Sequence, residues 1–348
     1  MEQLKTGIIG CGAIFPMHAD PVSRNAQAKL ACVCDVDIQK AAAAAKRYGC
    51  HAYSDYREML AREQLDIVHI CTPHYLHADM AVDALQAGCH VLCEKPMALT
   101  REDSRRMLRA AQDAGRRLGV VYQNRFNPGS LLIKRTLDSG ALGKIHGARM
   151  QVYWHRDAAY YAQADWRGTW EQEGGGVIIN QSIHTLDLMR WLIGEPVLDV
   201  QANLSNRMHP EIEVEDTAEG VIRFANGLNA LFYATVNNCR DEDIELHLTC
   251  EKGIAVLRAA RADIAFSDGH EPLCADNNPN EYYETHSGAK EYWGVSHLKL
   301  IDDFYRAVLT GTEPFVSAEE ALRTQDMICA LYEAGRTGLT APGKEFCR

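Results

Sequence analysis

Two stretches of this sequence put proton-handling groups where a ligand could meet them. In HVLCEKP, Lys95 stands at the end of an apolar, strand-like run, with Glu94 before it and Pro96 after it. The proline restricts Lys95 to an extended backbone. In GGGVIINQSIHTLDLMRWLIG, Asn180, His184 and Asp187 fall at i, i+4 and i+7 of a helical pattern and so share one face. A polar stripe on an apolar helix is costly to bury unless each member has a partner, so a satisfied core network is the competing account. Gly174, Gly175 and Gly176 let the start of that helix press close to a ligand. Oxidation of a secondary alcohol needs a base for the hydroxyl proton, a cation or donor for the developing oxyanion, and a hydride acceptor held alongside. Lys95 and His184 are the catalytic candidates for that chemistry, although a lone lysine at a strand end is most often simply solvated.

The hydride acceptor has its own signal. The first strand runs into Gly10-Cys11-Gly12-Ala13-Ile14-Phe15. Gly10 suits a tight turn, and Gly12 admits a pyrophosphate against the next helix start, with Ala13 and Ile14 completing the loop. Phe15 replaces the third small residue, so its ring is expected to tilt outward or displace the helix. Alone, the two glycines serve equally well as turn residues. They are joined by Asp35, twenty residues after Phe15 at the end of the second strand pattern, where a carboxylate accepts from ribose hydroxyls and repels a 2′-phosphate. Val36 and Asp37 follow with no arginine, which favours NAD over NADP.

These groups need a frame. Five apolar runs, KTGIIGCG, KLACVCDVD, DIVHICTP, HVLCEKP and GVVYQNRF, alternate with helical stretches IQKAAAAAKRYG, HADMAVDALQAG and REDSRRMLRAAQDAGRRLG, the first and last ending in Gly49 and Gly119 as helix caps. Strand and helix in alternation imply a doubly wound parallel sheet whose ligand lies at the carboxyl ends of the strands. Thr72 and Pro73 follow one strand end and Asn124 and Arg125 another. Beyond about residue 200, VQANLSNRM, AEGVIRFAN, LNALFYATVN and IELHLTCEKGIAVLR alternate as strands, with Asn226-Gly227 as a hairpin signal. Two helices, around 296–310 and 317–336, close the chain. Tyr160, Tyr161, Tyr283 and His297 offer aromatic faces and polar tips suited to a sugar ring.

Composition excludes several classes. The 348 residues are 47% hydrophobic and 24% charged, an ordinary globular balance with room for two cores. A formal net charge of −11 argues against nucleic acid. There is no apolar run long enough to span a membrane and no secretory signal pattern, so a cytoplasmic protein is expected. The 12 cysteines fall mostly inside strand-like runs, which fits reduced, buried thiols, and no metal is expected because Cys32/Cys34 and Cys89/Cys93 lack a second pair at zinc spacing.

With those motifs in place, the sequence resembles the Gfo/Idh/MocA family, which includes glucose-fructose oxidoreductase and inositol dehydrogenases. The match runs nearly the whole chain, through GIIGCGAI, Asp35, CTPHYLH at 71–77, Glu94-Lys95-Pro96, YQNRFNP at 122–128 and GGGVIINQSIHTLDL at 174–188. The resemblance implies an α/β fold: an N-terminal Rossmann domain (1–124) with a doubly wound parallel sheet, plus a C-terminal α+β domain (125–348) with a large, mostly antiparallel sheet for substrate binding and oligomerisation. It implies a homodimer or homotetramer. It makes Lys95 catalytic, with Thr72, Pro73, His77, Glu94, Lys95, Asn124, Trp166 and Arg167 joining Gly10, Gly12, Ala13, Ile14 and Asp35 at the cofactor. Arg125, Tyr160, Tyr161, Asn180, His184, Lys95 and Tyr283 are the expected substrate residues. Many members carry aspartate where this chain has Asn180. An amide cannot exchange protons, so proton traffic falls to His184 and Lys95, and the sequence is similar to members that oxidise a hexose ring, some at the 3-hydroxyl of a glycoside or nucleotide sugar. An inositol dehydrogenase, an NAD-assisted redox and elimination glycosidase, and a non-catalytic NAD sensor are the alternatives.

Overall fold

A computed structural model describes residues 3–278, 294–338 and 341–342. The chain divides into two compact units, one of residues 1–123 with 278–322 and the other of 124–277 with 323–348. The sequence reading placed everything after residue 124 in one domain. Of the described residues beyond 124, residue 278 and residues 294–322 instead belong to the first unit.

The first unit is built on β1 (Leu4–Ile9), β2 (Ala28–Cys34), β3 (His51–Tyr53), β4 (Ile67–Ile70), β5 (His90–Cys93) and β6 (Leu118–Val120), all parallel, in the order β3-β2-β1-β4-β5-β6. The order reverses beside β1, which puts the ligand edge at the ends of β1 and β4. α1 (Phe15–Arg24), α2 (Ile38–Tyr48), α3 (Tyr56–Arg62), α4 (His77–Gln86) and α5 (Arg101–Ala114) connect the strands. Asp37 caps α2 by accepting from the Gln39 amide, and Gly49 ends it in the left-handed region. α5 ends at Gly115 rather than at Gly119, which lies inside β6. A Cβ on Gly119 would come within 2.9 Å of the Phe304 ring, so the strand needs glycine there for packing.

The second unit opens with α6 (Pro128–Asp138), β7 (Ile145–Tyr153), α7 (Ala158–Tyr161) and α8 (Ile183–Ile193). There follow β8 (Val197–Ser205), β9 (Thr217–Phe224), β10 (Asn229–Thr235), β11 (Glu245–Cys250), β12 (Gly253–Arg258), β13 (Arg261–Phe266) and β14 (Leu273–Ala275). α9 (Gly294–Thr310) belongs to the first unit, α10 (Ala318–Thr337) begins there and continues into the second, and β15 (Ala341–Pro342) ends the described chain. The sheet order is β14-β13-β12-β11-β7-β10-β9-β8-β15, antiparallel throughout except for the parallel pair β7 and β10. Alternate residues of β10 (Ala230, Phe232, Ala234) are buried while Leu231 is 54% exposed, the period-two signature of a sheet with one covered face. Among the described residues, no helix is long and apolar enough to cross a membrane.

Candidate active site

In the first unit the glycine loop is shaped as a phosphate cradle. Gly10 has φ +97°, and a Cβ on it would stand 2.4 Å from the Cys71 carbonyl at the end of β4, so only glycine lets β1 turn there. Gly12 is exposed, and a Cβ on it would meet nothing within 4 Å, which leaves open space beside the backbone. Asp35, half-buried after β2, accepts from the Cys11 amide at 2.8 Å and from the Asp37 amide at 2.9 Å. Expected at the adenosine ribose, Asp35 also holds the glycine loop in place. These residues fit a dinucleotide: an open loop at a helix start with a fixed carboxylate at the next strand end. Phe15 does not tilt outward. It is buried, edge-on to Tyr48 at 5.7 Å between ring centres, so the missing small residue is replaced by an aromatic pair.

Lys95 follows β5 and is half-buried, its amide donating to its neighbour Glu94 at 3.2 Å, and the Lys95–Pro96 peptide is cis. Thr72 and Pro73, half-buried after β4, stand on the same edge of the sheet. Two residues expected at the cofactor lie behind that edge. His77 is fully buried, with Nδ1 2.7 Å from the Pro96 carbonyl and Nε2 2.9 Å from the Thr72 carbonyl, so it brackets the two strand-end loops from within. Glu94 is 7% exposed and engaged with His18 at 2.9 Å and His297 at 3.6 Å. Burial pushes Glu94 up, but the hydrogen bonds from His18 and His297 outweigh it and hold the carboxyl well below its usual range.

An ionised Glu94 fixes the direction of a whole buried chain. His18 Nε2–H must donate to it, and burial keeps His18 neutral, so His18 Nδ1 accepts from His69 Nδ1–H at 2.9 Å. Burial holds His69 neutral as well, so its Nε2 accepts from the Tyr305 hydroxyl at 3.1 Å, which accepts from Thr6 at 2.6 Å. His297, read from sequence as a pocket residue, belongs to this cluster and is 2% exposed.

The second unit carries further candidate residues. The stretch 177–193 is not one helix. Val177–Gln181 form a wide π turn, closed by the Ser182 amide donating to the Val177 carbonyl at 2.8 Å, and α8 begins after it. Its cause lies in the glycines before it. Gly175, at φ +153°, would place a Cβ 2.0 Å from the Tyr332 hydroxyl, and Gly176 would place one 1.9 Å from the Glu215 carbonyl. The stripe expected from i, i+4 and i+7 therefore divides. From Val177 to Ile193 only Asn180 and His184 are half-buried; every other residue, Asp187 included, is buried.

Asp187 takes a different role, and so does Arg125. Arg125 has no exposed surface; its Nε donates to Asp187 Oδ2 at 2.8 Å and its Nη2 to Oδ1 at 2.6 Å. The Thr324 hydroxyl donates to the same carboxylate at 2.6 Å and accepts from Arg190 at 3.0 Å. Arg125, expected at the substrate, is instead half of a buried ion pair. Tyr161 is likewise core, packed with Ile212 and Val214. Tyr160, partly buried beside it, has its hydroxyl 3.4 Å from Asn180 Nδ2 and 3.3 Å from Gln181 Nε2. The Arg167 guanidinium lies 4.2 Å over its ring and 4.9 Å over that of Trp166. Asn124 sits half-buried in the turn after β6, and Tyr283 lies outside the described residues.

Two buried carboxylates beside the π turn, Glu173 and Glu215, are not candidates from the sequence. Glu173 accepts from Asn180 Nδ2 at 2.5 Å and from the Gly168 amide at 2.5 Å. Glu215 accepts from the amides of Gly176 and Ile178 and from the Tyr332 hydroxyl, and burial pushes it up to about 7. Neither shows a spacing signal, because each lies outside the helices and strands and meets its partners only when the fold closes.

The sequence profile described as "Oxidoreductase family, NAD-binding Rossmann fold" matches residues 4–122, and that of the "GFO/IDH/MocA C-terminal domain" matches residues 131–256. The chain belongs to the Gfo/Idh/MocA family. It is an NAD-dependent oxidoreductase with a Rossmann unit and a large, mostly antiparallel sheet unit. Among Gfo/Idh/MocA relatives, an inositol 2-dehydrogenase of Salmonella typhimurium is 30% identical over 73% of this chain and 74% of its own. The D-glucoside 3-dehydrogenase of Escherichia coli is 28% identical over 96% of each chain. The structure of the WlbA dehydrogenase from Bordetella pertussis, in complex with NADH and UDP-GlcNAcA, covers 98% of each chain at 30% identity with a TM-score of 0.87.

Proposed function

We propose that this enzyme oxidises a ring hydroxyl of a sugar, glycoside or nucleotide sugar, with Lys95 and His184 moving the hydroxyl proton. The observation that carries the reading is the pair Asn180 and His184, the two half-exposed side chains of an otherwise buried stretch, with Tyr160 beside Asn180. NAD, when bound, supplies the ring that takes the hydride from the carbinol carbon. Gly10, Gly12, Ala13, Ile14 and Asp35 would hold its adenosine and pyrophosphate, with Thr72, Pro73, Asn124, Trp166 and Arg167 completing the contact. Lys95 takes or stabilises the hydroxyl proton, and His184 shares it as the second proton carrier. Asn180 and Tyr160 hold neighbouring hydroxyls through hydrogen bonds. An amide at 180 favours a hexose ring over an inositol, in keeping with relatives that are a glucoside 3-dehydrogenase and a dehydrogenase crystallised with a nucleotide sugar.

The test is reduction of NAD by purified protein across hexoses, glycosides, nucleotide sugars and inositols. Absorbance growing in the NADH band with a sugar is expected, and Lys95→Ala should abolish it while NAD still binds. No reduction with any member of the panel, or unchanged turnover in the Lys95 variant, refutes the assignment. We also propose a cytoplasmic homodimer or homotetramer. The described cysteines are all free, and Leu231 and Ile254 are exposed on the sheet; light scattering that returns a monomer counts against the assembly.

A further inference from the structure

The carboxylate that Asn180 lacks is present one hydrogen bond away. Glu173 is 1% exposed, and its two oxygens accept from Asn180 Nδ2 and from the Gly168 amide, both at 2.5 Å. A buried carboxylate held by two N–H donors is an acceptor on both oxygens. The amide nitrogen of Asn180 faces Glu173, and turning the amide over would set its oxygen against an oxygen of Glu173 whenever that carboxyl is ionised. Residue 180 could not be an aspartate beside an ionised Glu173 without two carboxylate oxygens meeting at the same short distance, where one must keep a proton. Glu173 also ties Asn180 to the loop that carries Trp166 and Arg167, through the amide of Gly168.

From this geometry we infer that positions 173 and 180 form an exchangeable charge pair, in which Glu173 is the positioning carboxylate that fixes the orientation of the Asn180 amide toward substrate. The functional half of this inference rests on the sugar-oxidation reading; the charge exchange does not. Among the described residues, the titratable and charged groups around Glu173 include Tyr161 and Tyr332, both facing Glu215, with Asp216 also facing Tyr161, Tyr160 beside it and Arg167 over the Tyr160 ring. Tyr161 and Tyr332 are pushed up by burial and stay neutral from pH 5 to pH 8, while Glu215, pushed up to about 7, titrates in that window and is present in all four proteins.

The experiment compares wild type, Asn180→Asp, Glu173→Gln and the double variant in thermal melts at pH 5 and pH 8. In Asn180→Asp one carboxyl is held protonated in the folded state above its unfolded pKa. Its deficit against wild type should be small at pH 5 and grow as pH rises from about 4 through the raised folded value. The double variant, with its single carboxylate moved to 180, should show no such growth. A deficit in Asn180→Asp that is the same at both pH values, or a double variant no better than that single variant at pH 8, overturns the charge pair whatever the enzyme's substrate. With an active substrate in hand, Glu173→Gln should lower kcat about 10-fold or more by removing the charged acceptor that orients the Asn180 amide. Asn180→Asp should lose about 100-fold at pH 8 and recover part of it at pH 6, and the double variant should return to within about 10-fold of wild type. Equal pH profiles for all four proteins refute the positioning role.

Discussion

Replacing Glu215 by Gln removes a titration while keeping the side chain's shape. The carboxyl is fully enclosed by the Gly176 and Ile178 amides and the Tyr332 hydroxyl, and burial pushes it from 4.5 up to about 7. At roughly 1.4 kcal/mol per pKa unit, that difference is about 3 kcal/mol of folding free energy. The folded state holds this proton more tightly than the unfolded chain does. Its contribution is thus fully present below pH 4.5, falls away as pH rises from 4.5 through about 7, and is flat above. Glu215→Gln has no such slope, so the stability of wild type relative to the variant should fall by about 3 kcal/mol across that interval. Urea unfolding of both proteins at three pH values, followed by tryptophan fluorescence, measures it; Trp170 lies edge-on to Tyr332 at 5.5 Å and reports on this region. A difference that stays constant within about 1 kcal/mol refutes the account of Glu215 as a carboxyl protonated near neutrality by burial.

Arg125→Met should destabilise by about 3–5 kcal/mol, because it strands Asp187 in the core, and adding Asp187→Leu should recover much of that. Melting curves check it, and a raised KM with an unchanged Tm would return Arg125 to the substrate. Gly175→Ala drives a methyl to within 2.0 Å of the Tyr332 hydroxyl at φ +153°. It should cost about 1–3 kcal/mol by crowding and lower turnover by shifting the turn that carries Asn180; wild-type melting and turnover would show that the glycine is not required.

The parallel strands were legible because each reads as an apolar run, and Gly10, Gly12 and Asp35 sit where that pattern put them. β3 escaped notice since three residues, His51, Ala52 and Tyr53, carry no periodicity. The stretch after Gly176 misled for a physical reason: helical spacing presumes 3.6 residues per turn, and one wide turn at Val177–Gln181 separates Asn180 from α8. Arg125 is expected from sequence at the substrate, and Asp187 in a polar stripe with Asn180 and His184. Their pairing joins residues far apart in sequence, and no local pattern encodes it. Glu173 stands in EQEGGG beside Glu171, indistinguishable by type from a solvated acid until the fold closes over it.

The place of α9 in the first unit sets an order on synthesis. Gly119 of β6 packs on Phe304, and the buried hydrogen bonds of Thr6 and His69 end on Tyr305, both residues of α9. A ribosome adding about 5–20 residues per second reaches α9 on the order of ten seconds or more after β6 has emerged. Through that interval the nascent nucleotide-binding sheet lacks the helix that covers it. Chaperone engagement should therefore concentrate on chains stalled before residue 294, and a circular permutant beginning at α9 should shorten the wait.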